Sequence, residues 1–227
     1  MINTDIEELY DEITQCRKCK RLVGFRESVL KDSKRYKGEN FWRKPLHGYG
    51  EINGRMMIIG LAPAASGGNR TGRVFTGDKS SDFLVSCLYE AGITSIPTST
   101  RKDDGLEYLD AYITLAVRCV PPENKPEREE MENCYPYLRR EYILMKNVRS
   151  IVALGKIAFD SALRLLKEDG HTSSGVKFGN NLVYQFEEKR LYSLFHPSPR
   201  NVNTGKIDRT QFVETLKKAR KYALEMK

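Results

Sequence analysis

No apolar run in this chain comes near the ~20 residues that a bilayer-crossing helix needs. The opening stretch, MINTDIEELYDE, also lacks the apolar core of a secretory signal. A soluble intracellular protein, cytoplasmic and without a membrane partner, is therefore expected. The phosphate-cradling signatures GxGxxG and GxxxxGK[ST] are both missing, which argues against a nucleotide hydrolase. Internal repeats are absent too. Cysteine is sparse, with five in 227 residues, and inside a cell these are read as reduced thiols, metal ligands or catalysts.

Negative charge is the scarcer sign, 30 Asp and Glu against 38 Lys and Arg, for a net charge of +8. The excess is uneven. Residues 16–37 hold nine Lys/Arg and two Asp/Glu, and residues 206–227 hold seven and three. Basic segments near both ends point to a polyanion, most simply nucleic acid. A heavily charged, heat-adapted surface would look similar.

What is present reads as an α/β protein. Four runs rich in β-branched and aromatic residues stand out: Met56–Ala62, Tyr112–Val117, Ser150–Leu154 and Leu191–Phe195. Helical patterns at Ser80–Ala91, Pro136–Met145, Lys156–Lys167 and Arg209–Met226 separate or follow them. Alternation of this kind predicts a mainly parallel sheet in a single domain over 1–227. The first 50 residues read as an appended helical and loop region, and the acidic run Glu127–Glu132 as a solvated helix face.

The most informative stretch is GLAPAASGGNRTGRVFTGD, residues 60–78. A strand ends in a long connection of small residues, where a backbone approaches a ligand closely. Connections this long in a compact domain are usually functional or disordered, and an apolar strand before and an apolar helix after favour function. A second strand ends in VRCVPPENKP, whose Pro121 and Pro122 stiffen the loop that presents Asn124 and Lys125. A fourth ends in FHPSPRNVNTGK, which presents His196 and Asn201. Three strand ends can converge on one pocket offering Phe75, Asp78, Asn124, His196 and Asn201. His47 and His171 are read as structural.

Cys16 and Cys19 form one pair; Cys119 and Cys134, 15 apart, form a second; Cys87 lies in an apolar helix and is read as a small core residue. Two distant pairs can join in one four-thiolate site, suited to zinc or to an iron–sulfur cluster. The wide second pair makes a cluster at least as good a reading as zinc.

Together these motifs resemble the uracil-DNA glycosylase superfamily, most closely its type-5 branch of B-type enzymes with an iron–sulfur cluster. The resemblance runs from Cys16 to about Gly205. It implies a central four-stranded parallel sheet flanked by helices, a [4Fe–4S] cluster on Cys16, Cys19, Cys119 and Cys134, and removal of deaminated bases from DNA by a monomer. It implies catalytic roles for Asp78, His196 and Asn124, with Gly60, Ala62, Phe75 and Asn201 around the base. Arg70, Arg73, Lys125, Arg200 and Lys206 are then expected on DNA phosphates. Two departures matter. Ser66 stands where the branch usually carries a histidine. Leu115 stands where narrow uracil enzymes carry an asparagine, so activity on uracil and on hypoxanthine is predicted. A non-catalytic nucleic-acid-binding module with a metal-clipped basic arm, and a thiol–disulfide enzyme built on Cys16 and Cys19, are the competing readings.

Overall fold

The computed structural model describes residues 2–225. Strands β2 (Met56–Gly60), β3 (Ala111–Leu115) and β4 (Ser150–Leu154) are buried along their whole length. That is why they read as continuous apolar runs, as strands covered on both faces do. With β6 (Lys189–Leu194) they lie parallel in the order β3-β2-β4-β6, Ile58 standing opposite Ile113 on one side and Val152 on the other. The expected parallel centre is present. Two antiparallel edge strands enlarge it to a mixed six-stranded sheet: β1 (Tyr49–Gly50) beside β3 and β5 (Leu182–Phe186) beside β6.

Side chains alternate across the strands, so the sheet feeds two cores. Ile58, Ile113 and Val152 pack with Leu84 and Leu88 of α4 (Lys79–Glu90) and Phe212 and Leu216 of α8 (Arg209–Leu224). Met57, Ile59 and Ile151 pack with Leu138 of α5 (Arg128–Leu144) and Phe159 and Leu166 of α6 (Lys156–Glu168). Leu9 and Ile13 of α1 (Ile2–Gln15) are fully buried in this second core. The N-terminal region is therefore built into the fold instead of being appended to it. The end of the last helical pattern, Met226, lies outside the described residues.

Helix α5 begins eight residues before the expected start at Pro136. Its beginning is set by a capping box in which Glu127 is the N-cap and Glu130 the reciprocal partner. Pro136 sits inside the helix, where it removes one backbone hydrogen bond without ending the run. The acidic stretch is also only partly a solvated face. Glu130 is 4% exposed and accepts a bidentate pair from Arg21 of α2 (Lys20–Ser28).

Strands β2, β3 and β6 end at Gly60, Leu115 and Leu194 on one edge of the sheet. Since β2 lies between β3 and β4, the connections there leave to opposite sides and open a crevice, the usual ligand position in such sheets.

Candidate active site

A cavity of about 630 Å³ occupies that crevice. The β2–α4 connection, which carries the single turn α3 (Gly68–Thr71), supplies Leu61, Ala62, Ser66, Phe75 and Asp78; Leu115 ends β3 and Asn124 lies in the connection beyond it; the loop into α7 (Pro199–Asn203) and its first turn supply His196 and Arg200.

Asp78 is the N-cap of α4. Its Oδ1 accepts hydrogen bonds from Ser80 N (2.8 Å) and Ser81 N (3.0 Å), and the Ser81 hydroxyl in turn accepts from Asp78 N. Among the described residues Oδ2 has no donor. It lies over Gly67, where a Cβ would stand 1.9 Å from it, so only glycine admits the carboxylate. Burial pushes the Asp78 carboxyl above its ordinary range, against the two backbone N–H groups that hold it down. One oxygen thus fixes the helix and the other is left bare in the cavity wall.

Among the described residues His196 has no charged or hydrogen-bonding neighbour that offsets its burial, and burial lowers its pKa. Burial therefore favours the neutral imidazole, which can donate from one ring nitrogen. Its carbonyl accepts from Asn201 Nδ2 (2.9 Å) and Ser198 N (2.7 Å). Asn201 therefore braces the histidine loop and is not part of the cavity wall, which corrects its expected place beside the base. His47 stacks on Tyr10 with ring centroids 3.9 Å apart, and His171 lies near Asp169 and Glu187 beyond the opposite edge of the sheet, so neither joins the site.

Two cavity residues, Phe75 (φ +46°) and Asn124 (φ +57°), hold unusual backbone conformations, as does Glu123 (φ +53°) just before Asn124. Left-handed conformations in non-glycine residues cost of order 1–3 kcal/mol each and cluster at functional sites. The Phe75 ring reaches back over Gly60, where a Cβ would meet its Cζ at 2.6 Å and Leu115 Cδ2 at 3.0 Å. Gly60 therefore acts by making room for the aromatic face, without lining the cavity itself.

The four predicted ligand cysteines come together at a second place. Cys16, Cys19, Cys119 and Cys134 line one small pocket between α2 and the start of α5. Three of the sulfurs accept a hydrogen bond. Arg26 Nη1 donates to Cys119 (3.0 Å), Arg118 N to Cys134 (3.5 Å) and Asn133 Nδ2 to Cys19 (3.5 Å), while Tyr137 lines the same pocket as Cys16. Burial pushes the free Cys119 and Cys134 thiols up to about 11 and about 12. Among the described residues no three His, Cys, Asp or Glu side chains are close enough to hold a single metal ion. Cys87 packs in the first core, as expected.

The comparisons with known proteins identify the family. The model of the uracil DNA glycosylase superfamily matches residues 47–220. The chain belongs to the uracil-DNA glycosylase superfamily. It is 41% identical to a type-5 uracil-DNA glycosylase of Pyrobaculum aerophilum over 94% of this chain and 91% of that one. It is also 41% identical to the type-5 enzyme of Thermus thermophilus, over 96% and 99%. A type-4 uracil-DNA glycosylase of Pyrobaculum aerophilum is 30% identical over 76% and 72%.

The cations of this uracil-DNA glycosylase fold divide into two sets. Arg73 is 3% exposed; it donates to Thr76 Oγ1 and Ser99 Oγ, both at 2.9 Å, and pairs with Asp104 at 2.8 Å. It cannot reach a phosphate. Burial works against the Asp104 carboxylate, but Arg73 and three backbone N–H groups outweigh it and hold its pKa near 2. Arg70 is also spent internally, on Ser66 O (2.8 Å), Gly77 O (3.1 Å) and Glu39 (2.8 Å). Both were expected on DNA; both instead brace the long connection. Arg200 lines the cavity, and Lys125 and Lys206 are exposed. Sequence reasoning missed Arg35, Tyr36 and Lys79, which share the cavity wall. The only signal for the first two was the basic excess over 16–37.

Proposed function

We propose that this protein hydrolyses the N-glycosidic bond of deoxyuridine in DNA, leaving an abasic site, and acts on other deaminated bases such as hypoxanthine. The observation that carries the reading is the meeting of Asp78, with one bare carboxylate oxygen, and His196, with a neutral unpaired imidazole, on one cavity beside Phe75 and Asn124. A base must leave the duplex to reach such a cavity. Phe75 gives it a stacking face. The bond from the sugar's anomeric carbon to the base nitrogen breaks with its electron pair going to the base, and positive charge builds on the sugar. His196 donates a hydrogen bond to the anionic base oxygen and Asp78 stabilises the cationic sugar. Asp78 Oδ2 accepts a hydrogen bond from the water whose oxygen bonds to the anomeric carbon, and the proton that water sheds passes to Asp78. Asn124 holds the base edge or that water. Leu115 in the wall supports the wide base range, since it offers no amide to be left unpaired by the wrong base.

The second part of the proposal is a [4Fe–4S] cluster on Cys16, Cys19, Cys119 and Cys134. Four sulfurs lining one pocket, three of them with a hydrogen-bond donor, support such a group. Cys16 and Cys19 would hold it from the basic N-terminal segment and Cys119 and Cys134 from the core, so that it would tie the two together. Brown protein absorbing broadly in the blue is expected, and colourless protein with stoichiometric zinc would replace the cluster by a metal ion.

Incubation with a uracil-containing oligonucleotide, then alkali, tests the function. Strand scission at the uracil is expected, with slower scission at hypoxanthine; intact DNA in both would refute the proposal, and scission at uracil alone would remove its wider range.

A further inference from the structure

Residues 33–36 turn tightly after α2: Tyr36 N donates to Ser33 O (3.2 Å) and Glu39 N to Tyr36 O (3.1 Å). The turn puts Arg35 and Tyr36 on the wall of the catalytic cavity, and nothing in the chemistry above uses them. Tyr36 is only half-buried. The Arg70 guanidinium lies 5.0 Å from its ring centroid, that of Arg35 5.3 Å, and Phe41 meets it edge-on at 5.7 Å.

The turn is also fastened to the cavity's own connection. Arg70 pairs with Glu39, Trp42 N donates to Arg70 O and Arg43 N to Asn69 O, both at 3.0 Å. Arg43 Nη1 then closes the end of α2 on Glu27 O (3.0 Å) and Val29 O (2.9 Å). So an aromatic ring with cations beside it is held at a defined place in the wall instead of being packed into a core. A half-exposed ring beside guanidinium groups suits a base face and its phosphate.

We propose that Tyr36 stacks on the nucleotide extruded into this cavity and that Arg35 pairs with a phosphate of the same strand. The 33–36 turn is then a second wall of the nucleotide site, opposite in chain origin to Phe75. This rests on the glycosylase reading above.

The test is binding of single-stranded and duplex DNA carrying 2′-fluoro-deoxyuridine, which resists cleavage because the fluorine disfavours positive charge on the sugar. Loss of one base–aromatic stack weakens binding by about 5- to 150-fold. Tyr36→Ala should fall in that range on both DNA forms, with Tyr36→Phe within about twofold of wild type, as one ring replaces another. Arg35→Ala should lower the slope of log affinity against log salt by about one. If Tyr36→Ala loses thermal stability, Tyr36→Leu, which keeps bulk without a stacking face, carries the comparison. Unchanged affinity in the Ala or Leu variant overturns the proposal. Loss confined to duplex DNA also overturns it, because the ring would then fill the gap in the helix. Wild-type excision from the cleavable deoxyuridine strand is run alongside; its failure would sink the glycosylase reading, whereas its success with unaltered Tyr36 variants sinks only the stacking.

Discussion

Asp78 does two things in this structure, and one substitution separates them. Its Oδ1 caps α4 through Ser80 N and Ser81 N, while Oδ2 is bare in the cavity. Asparagine is about as good an N-cap as aspartate, whereas alanine costs about 1 kcal/mol there. For a domain of this size ~1 kcal/mol moves Tm by about 2–4 °C. The charge acts the other way. Burial raises the Asp78 pKa above its unfolded value, so the stability it contributes is present only below the unfolded pKa and is lost as pH rises through the folded one. At pH 7 the ionised side chain is a burden to the fold. Asp78→Asn should therefore match or exceed wild type in thermal denaturation at pH 7, and Asp78→Ala should melt a few degrees lower than Asp78→Asn. Excision should behave differently. Both variants lose the anionic oxygen, and single-turnover rates on a uracil oligonucleotide should fall by about 10²–10⁴, the usual worth of a positioned base. An Asp78→Asn enzyme within tenfold of wild type would show that the carboxylate is only a helix cap.

The remaining expectations concern the neighbours of that carboxylate. Because burial raises Asp78 and lowers His196, the excision rate should climb as Asp78 ionises, above the ordinary carboxylate range, then stay level from pH 6.5 to 8 (values about the ordinary histidine pKa). A rate that falls as pH rises through ~6.5 would make the donor an imidazolium and refute the neutral-histidine reading. Arg73→Ala leaves Asp104 buried without its cation and should cost about 3–5 kcal/mol of stability, read by chemical denaturation, while DNA affinity at low temperature stays at the wild-type level. A loss of affinity with unchanged stability would return Arg73 to the phosphates. Leu115→Asn places an amide beside Phe75 and should depress hypoxanthine excision more than uracil excision in parallel oligonucleotide assays; equal effects would mean that position 115 does not set the base range.

Much of the site was legible because strand ends announce themselves. The apolar runs read in the sequence end at Ala62, Val117 and Phe195, within two residues of where β2, β3 and β6 end. The segments beyond them carry small residues, paired prolines, or His196 ahead of two prolines, which is chemistry without core. The parallel centre was legible in the same runs. The edge strands were not. β5 has mostly exposed or half-exposed side chains, and its turn to β6 runs through Glu187 and Glu188 with no Gly or Asn to mark a hairpin. The start of α5 was misplaced because Pro136 suits a first turn, while the real signal, Glu127 with Glu130, is a less usual N-cap pair. The arginines were misread for a different reason. Arg70 and Arg73 sit among small residues in a loop, the pattern of a phosphate site, but their partners Glu39 and Asp104 are 31 residues away in sequence on either side. No local pattern reports a partner at that distance.

The cavity at the strand ends and the thiol pocket are linked by one stretch of chain. From the end of β3 the backbone passes Leu115 in the cavity wall, Cys119 in the thiol pocket, Asn124 in the cavity wall again, and Cys134 on α5. Asn124 and Glu123 hold left-handed conformations that an unrestrained loop would relax. They are kept by fixed points on both sides. Upstream, Cys119 follows Arg118, whose guanidinium pairs with Glu141 of α5 at 2.7 Å in full burial. Downstream, Glu130 is clamped by Arg21, which also donates to Lys125 O. Arg21 belongs to α2, the same helix whose Arg26 reaches Cys119 and whose far end leads to Tyr36. The basic N-terminal segment is thus the element that holds Asn124 from one side and brings Arg35 and Tyr36 to the cavity from the other. The thiols are not among the residues that line the cavity; they lie where that segment meets the β3–α5 connection.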